Sequence, residues 1–513
     1  MKRHPSATPV CSLMRASQGV ASYSLATQPL PMIDMEKGGL RGAPKFPSAP
    51  FMNTLWLEWL NAGDVLCRDA MLVTLRKMLA GGIYDHAGGG LARYSTDEDW
   101  MVPHFEKMLY DNALLVRMAT WATTQTGEEM FRSRIEQTIV WMLREMRTED
   151  GFASSLDADS DGGEGLFYTW TDEQLRDALG NRYDDLASFF SLGAQPQWEG
   201  APVLFQTEAQ VQASADDADR ADAIRALLLV DREKNRSRPA RDDKVLTDWN
   251  GLALQALAEA GRTLQRPEWI EIAADVFQRI VRSADAQGRL PHSVRGERRL
   301  YPAFSTDYAA MINAAISLHE ATGEPGYLTQ AASFLELLDR WYGDGSGYGY
   351  FLTASDSNDV PIRLRGDVDE AIPSANAQII EAVARLASAT SDFKLEQRTQ
   401  AIADNALARI RDQQFGQAGI VNAVAIARNS IKLVIVDDAE ERLVTVANRA
   451  PDPRRVDLLH RIGQADPVPE LIEGILPPTD RPGAWLCMNQ TCLPVITNPE
   501  ELKHVLKGRF NPA

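Results

Sequence analysis

The chain has 513 residues, enough for one large domain with appendages or for two to four domains of ordinary size. Hydrophobic residues make up 44% and charged residues 24%, the balance of a soluble globular chain; the formal net charge of −18 argues against nucleic acid and against anionic membrane surfaces as partners. No apolar run approaches the roughly 20 residues of a membrane span. Four cysteines in so long a chain imply a reducing, cytoplasmic setting.

Residues 1–34 are basic but lack a continuous apolar stretch, and read as a disordered or truncated leader rather than a signal peptide. From there the chain repeats loosely as helical hairpins. The first copy runs from Phe51 through LWLEWL and AMLVTLRKMLA to the loop GGIYDHAGGG. The stretch Tyr84–Asn112 is the most crowded of the chain. His86 and His104 stand there among Asp85, Arg93, Tyr94, Asp97, Trp100, Glu106, Lys107 and Asp111. Gly88, Gly89 and Gly90 let the backbone turn tightly or approach a ligand. The mix suits a polar, aromatic-lined pocket for a small hydroxylated ligand. The competing reading is a buried corner whose Arg and Asp pair with each other.

The second copy starts at Asp111 (DNALLVRMATW), continues through FRSRIEQTIVWMLREM and closes on DGFASSLDADSDGGEG. In that loop Asp157, Asp159, Asp161 and Gly162 resemble the opening of a calcium loop, but its twelfth position is Tyr168 instead of Glu. An acidic loop facing sugar hydroxyls, or a solvated turn, fits better. An irregular hairpin is expected between Thr171 and Lys234. Further copies start at Asp248, Asp307 and Ser374. Apolar residues at i, i+3, i+4 and i+7 give each helix one buried stripe, and such hairpins must stack on neighbours to cover it. The expected fold is mainly α, an (α/α)6 toroid over residues 35–429, with an open solenoid as the alternative. After Asn429, IKLVIVDD reads as a strand, VDLLHRI as a helix, AWLCMN and CLPVIT as short strands and NPEELKHVL as a helix. Residues 430–513 are therefore a small α/β appendage.

In an antiparallel hairpin the start of the first helix and the end of the second lie together. Asp111, Asp248, Asp307 and Ser374 should therefore share one mouth with the loops at Asp85–His86, Asp157–Glu164, Pro291–His292 and Asp344–Tyr350. Asp and Ser at helix starts are also ordinary caps. Cys487 and Cys492, spaced C-x4-C, read foremost as two unlinked thiols, because no second Cys pair completes a zinc site; a redox pair is the alternative, although the spacing is not C-x-x-C. No metal, flavin or nicotinamide is expected, since no G-x-G-x-x-G follows a strand.

The strings GAPKFP (42–47), GGIYDHAGGG (81–90), RYSTDEDWMVPHFEKMLYDNALL (93–115), LDADSDGGEGLFYTW (156–170), DDKVLTDWNGL (242–252), AFSTDYA (303–309) and IPSAN (372–376) together resemble the YyaL-type family, that of spermatogenesis-associated protein 20. The resemblance runs from about Met35 to the C-terminus. It implies a six-hairpin α/α domain, similar at fold level to N-acylglucosamine 2-epimerases, cellobiose epimerases and six-hairpin glycosidases. Full-length members carry an N-terminal thioredoxin-like domain with a C-x-x-C-type motif. This chain shows neither, so no thiol–disulfide activity carries over. The family usually has Gln where His86 stands, which speaks against a catalytic His86.

Three functions compete. A sugar epimerase or isomerase needs a base near neutrality: His104, oriented by Glu106 or Asp111, with Arg93 and Lys107 stabilising an enolate-like intermediate. A glycoside hydrolase needs paired carboxylates, here from Asp157, Asp159, Glu164 and Asp248. The third reading is a non-catalytic ligand- or protein-binding toroid. Under either enzyme reading the substrate is a small sugar held by Arg93, Tyr94, Asp97, Trp100, Lys107, Asp159, Glu164, Trp170, Trp249, Asn250, Asp307 and Asn376. Catalysis then falls to His104, Glu106, Asp157 and Asp248.

Overall fold

The computed structural model describes residues 30–193, 202–410, 414–464, 468–488 and 491–510. Most of the leader expected over residues 1–34 lies outside them. The first hairpins are α1 (Ala49–Ala62) with α2 (Val65–Ala80) and α3 (Leu109–Thr126) with α4 (Glu129–Trp141). An insertion follows with α5 (Asp172–Leu179), α6 (Leu186–Phe189), α7 (Glu208–Asp216) and α8 (Ala218–Asn235). Then come α9 (Thr247–Leu264) with α10 (Pro267–Arg282), α11 (Ser305–Thr322) with α12 (Gly326–Tyr342), α13 (Ala375–Thr390) with α14 (Phe393–Arg409), and finally α15 (Ala418–Arg428).

Each hairpin turns on a residue in the left-handed region: Gly63 (φ 77°), Gly127 (φ 70°), Gln265 (φ 58°), Gly323 (φ 76°) and Ser391 (φ 55°). That conformation ends a helix and reverses the chain. The first helices of the pairs pack on one another in the order α1, α3, α9, α11, α13, α15 and back to α1, a closed ring. Inner helices are buried nearly all round, as α11 is from Ser305 to His319. Outer helices bury one stripe, as α10 does through Trp269, Ala273, Val276, Phe277 and Ile280. The fold is thus an (α/α)6 toroid of helical hairpins.

Two expectations change. The irregular hairpin between Thr171 and Lys234 takes no place in the ring. Helices α5–α8 instead bury a small core of their own around Leu175, Phe189, Ile224 and Leu228. The sixth inner position belongs to α15, whose sequence AGIVNAVAIAR carries no polar start and no hairpin partner behind it. In the C-terminal unit, residues Arg455–Arg461 form a strand rather than a helix, pairing in parallel with Ile431–Asp437. A short apolar run is ambiguous by periodicity, and the neighbouring strand decides it. The sheet continues antiparallel through Gly483–Met488 to Thr491–Cys492, where Cys487 and Cys492 face each other and form a disulfide. The unlinked-thiol expectation is corrected accordingly. The α/β unit caps the end of the ring where the inner helices finish. Arg454 donates to the Leu60 carbonyl at 2.9 Å, Arg262 pairs with Asp457 at 3.0 Å, and the Asp457 amide donates to Glu320 at 3.0 Å. The end where the inner helices begin remains as the mouth.

Candidate functional site

One wall of the mouth is built by the turn that leads into α3. Tyr94–Ser95 pairs antiparallel with Pro103–His104, which brings Arg93 beside Glu106 and holds both over the start of α3. Arg93 pairs with Asp111 at 3.1 Å, its guanidinium 5.6 Å from the Phe46 ring and 5.3 Å from the Tyr110 ring. Tyr94 stacks between Phe46 (4.9 Å) and His104 (5.0 Å). The insertion supplies Glu164, whose carboxylate accepts from His104 Nδ1 at 2.7 Å; Glu106 lies 3.4 Å from Nε2. His104 is thus oriented by one carboxylate and approached by another while 28% of its side chain stays exposed, the access that proton transfer needs.

The Tyr110 ring meets Trp249 edge-on at 4.5 Å, which joins this wall to a second one at the starts of α9 and α11. There the Asp248 amide donates to Asp307 Oδ1 at 2.8 Å, and His292 Nδ1 lies 3.0 Å from Asp307 Oδ2. Asp307 Oδ2 also accepts from the Phe304 amide at 2.6 Å, and His292 packs on the Phe304 ring at 4.5 Å. Donor atoms of Asp248, His292 and Asp307 lie within 4.8 Å of one another, a grouping of the kind that holds divalent cations. Both Asp307 oxygens are already engaged, so a cation would have to displace the His292 contact.

Burial dominates the titration of these groups. It pushes Asp111 up to about 7 against the opposing charge of Arg93, and pushes Asp248 up to about 7, with the Asp307 charge adding to the effect. Burial alone would lower His292, but the charge and hydrogen bond of Asp307, with Asp248 behind, raise it to about 8. A carboxyl raised on folding contributes stability below its unfolded value near 3.8, and loses it as pH rises through its folded value. Asp111→Asn is therefore expected to leave the melting temperature unchanged near pH 4. Above pH 7 it should raise stability relative to the parent, by an amount on the order of a few kcal/mol. Melting curves at the two pH extremes check this; an equal shift at both would show that the carboxyl is not held neutral.

Several residues expected at the mouth lie elsewhere. Trp100 is 0% exposed, its indole N–H donating to the Lys37 carbonyl at 3.0 Å. Asp97 accepts from the backbone amides of Asp99, Met101 and Val102 and so shapes the turn. Lys107 is buried and bound to Asp85 at 2.8 Å, away from any enolate. The Asn250 amide is spent on Phe152 and Leu246, and that of Asn376 on Tyr350, Arg365 and Asp367. Trp170 sits in the insertion core beneath Arg236. Asp157 and Asp159 are exposed on the hairpin that carries Glu164. Asp161 (φ 51°) and Gly162 (φ 79°) make its tight turn, so these acids form a hairpin instead of a calcium loop. His86 is buried between the Gly81 carbonyl and Arg134. Conversely Phe46, Tyr110, His292 and Phe304 stand at the mouth without having been assigned a role. Hairpin geometry had placed the Pro291–His292 loop there, and that was the signal for His292.

The fold and this mouth define an (α/α)6 protein with titratable groups clustered where the inner helices begin. No family model matches the chain. It is similar to Spermatogenesis-associated protein 20 of Rattus norvegicus and of Homo sapiens, 28% identical to each over 92% of this chain and 67% of theirs. The resemblance carried by the motifs thus extends over most of the chain. Solved structures it resembles include a GH76 α-mannanase from Bacteroides thetaiotaomicron (TM-score 0.47, 10% identity, 79% of this chain and 94% of that one). A D-mannose isomerase also matches (TM-score 0.35, 13% identity, 69% and 94%), as does a sugar epimerase from a ruminal bacterium (TM-score 0.33, 12% identity, 67% and 90%). No helix among the described residues is long and apolar enough to cross a membrane.

Proposed function

We propose that the chain is a carbohydrate-active enzyme of the epimerase or isomerase type, acting on a small sugar in the funnel. One observation carries this reading: two histidines, each held by a carboxylate, stand on two adjoining walls of the mouth that meet through aromatic rings. His104 rests on Glu164 at 2.7 Å and His292 on Asp307 at 3.0 Å, with Tyr94, Phe46, Tyr110 and Trp249 between them. Moving a proton at a carbon beside a carbonyl needs a base near neutrality, and inverting that carbon needs a second group to return the proton. With Nδ1–H donated to Glu164, His104 offers Nε2 as the base. The Asp248–His292 pair, both raised by their surroundings, supplies the acid. Arg93 is the cation we assign to the developing enolate oxygen, and its pairing with Asp111 and two rings fixes it in advance.

Hydrolysis is the second reading, favoured by Asp111 and Asp248 as two buried carboxyls at the mouth. A glycoside hydrolase wants one carboxyl protonated and its partner ionised, whereas these two are both pushed up. The experiment starts from a sugar library screened for thermal stabilisation, since a ligand of the native state raises apparent stability. The sugars found are then incubated with the protein in deuterated water. A solvent deuteron at the carbon beside the carbonyl, with the glycosidic bond of a disaccharide intact, is the expected result. Cleavage without exchange would move the assignment to the hydrolase, and neither reaction on any stabilising sugar would leave a binding protein.

A further inference from the structure

Away from the mouth, at the capped end of the ring, a cavity lies where α13 and α14 meet the C-terminal sheet. Lys432, on the first strand of that sheet, lines it together with Ser388, Ser391, Ser430 and Glu396, over a floor that includes Leu471. The Lys432 ammonium donates to Ser391 Oγ at 2.6 Å, and Ser391 passes the bond on to the Glu470 carbonyl at 3.1 Å. Ser388 and Ser430 share a hydrogen bond of 2.6 Å across the same space. Among the described residues that line this cavity, Lys432 is the one basic side chain. Pockets at junctions between structural units are where small ligands are usually held.

We infer that this cavity is a second ligand site, which takes a small aldehyde or ketone and holds it on Lys432 as an imine. The amine nitrogen attacks the carbonyl carbon, and a proton passes from nitrogen to oxygen to give a carbinolamine. The C–O bond then breaks, oxygen leaves as water with a second proton from nitrogen, and a C=N bond remains. Water reverses the sequence, so no oxidant or reductant is consumed. The Ser388, Ser391 and Ser430 hydroxyls line the same space and can relay those protons, and Glu396 is the carboxylate within it. Burial supports the chemistry by bringing the Lys432 amine down to about 8 against the charges of Glu396 and Glu470, so that part of it is uncharged near neutral pH. The inference is independent of the reaction proposed for the funnel.

The test uses glyoxylate as the carbonyl probe, with borohydride to reduce any imine and peptide mass mapping to locate it. Near pH 8, Lys432 is expected to label at least about 10-fold faster than the exposed Lys394 and Lys503, and the rate should saturate with glyoxylate. Ser391→Ala should slow the labelling several-fold, and Lys432→Met should abolish it while the other lysines label as before. Labelling no faster than at Lys394 and Lys503, or a rate linear in probe without saturation, overturns the proposal. So does the absence of a reduced adduct from glyoxylate while glycolate raises the melting temperature of the parent, which would make the cavity a plain anion site. Should Lys432→Met fail to fold, the parent's saturation curve and the Ser391→Ala rate decide the question.

Discussion

Replacing His104 with Gln is expected to lower turnover on the sugar identified by the screen about 100- to 10,000-fold, the usual worth of a positioned acid–base group. Gln preserves size and can still bond to Glu164, but it neither takes nor gives a proton. His104 is partly exposed and stands on two-residue strands at the mouth, so the melting temperature should barely move. The informative control is His86→Gln. His86 is 2% exposed, wedged between the Gly81 carbonyl at 3.0 Å and Arg134 at 3.2 Å, and burial brings it down to about 3, so it stays neutral at working pH, with Nε2–H donated to the carbonyl. Its replacement should cost stability while leaving turnover per folded molecule within a few-fold. Steady-state kinetics on both variants, corrected for folded fraction, measure the contrast. Equal turnover of His104→Gln and the parent would remove His104 from the mechanism and leave the Asp248–His292–Asp307 wall as the remaining candidate.

Asp85→Ala should produce the largest loss of stability, about 3–5 kcal/mol, with far less effect on turnover per folded molecule than His104→Gln. Asp85 binds Lys107 at 2.8 Å and Arg232 at 2.9 Å, and its other contacts are the amides of Ala87 and Gly88. Lys107 is 2% exposed and Arg232 0%, so removing the carboxylate strands two cations in the interior. Burial by itself would raise the Asp85 carboxyl, but the charges of Arg232 and Lys107 overcome it and hold the group far below the usual carboxylate range. A depressed carboxyl contributes stability above its unfolded value and loses it as pH falls through the folded one. The gap between variant and parent should accordingly be full at neutral pH and shrink in strong acid. Urea midpoints at neutral pH measure it, and a difference under about 1 kcal/mol would mean that the two cations find other partners.

Both variants fall in the one stretch, Tyr84–Asn112, that stands out in the sequence, yet their roles differ for a reason the sequence does not contain. Residue types that build a polar site (Trp, Asp, Lys, Asn) are the same types that cap turns and satisfy buried carbonyls. Trp100, Asp97, Lys107, Asn250 and Asn376 match the expected chemistry and are consumed by structure. His104 and Glu164 are 60 residues apart and meet only because the insertion folds back over the turn before α3.

What the sequence determined by itself is the local and periodic part. Apolar spacing at i, i+3, i+4 and i+7 marks the hairpins. Hairpin geometry alone sends Asp111, Asp248, Asp307 and the His292 loop to one end of the molecule. These follow from interactions among residues a few positions apart, which a single chain displays openly. Tertiary structure decided what depends on distant partners. It made α15 the sixth member of the ring by packing it on α1, more than 350 residues earlier in the chain, where Asn422 donates to the Pro50 carbonyl. It turned Arg455–Arg461 into a strand by laying it beside Ile431–Asp437, and it joined Cys487 to Cys492 across paired strands. It also set the burial and the like-charge neighbours that push Asp111 and Asp248 toward neutrality. Both effects come from what surrounds a carboxyl in space, which neither its identity nor its position in the chain specifies.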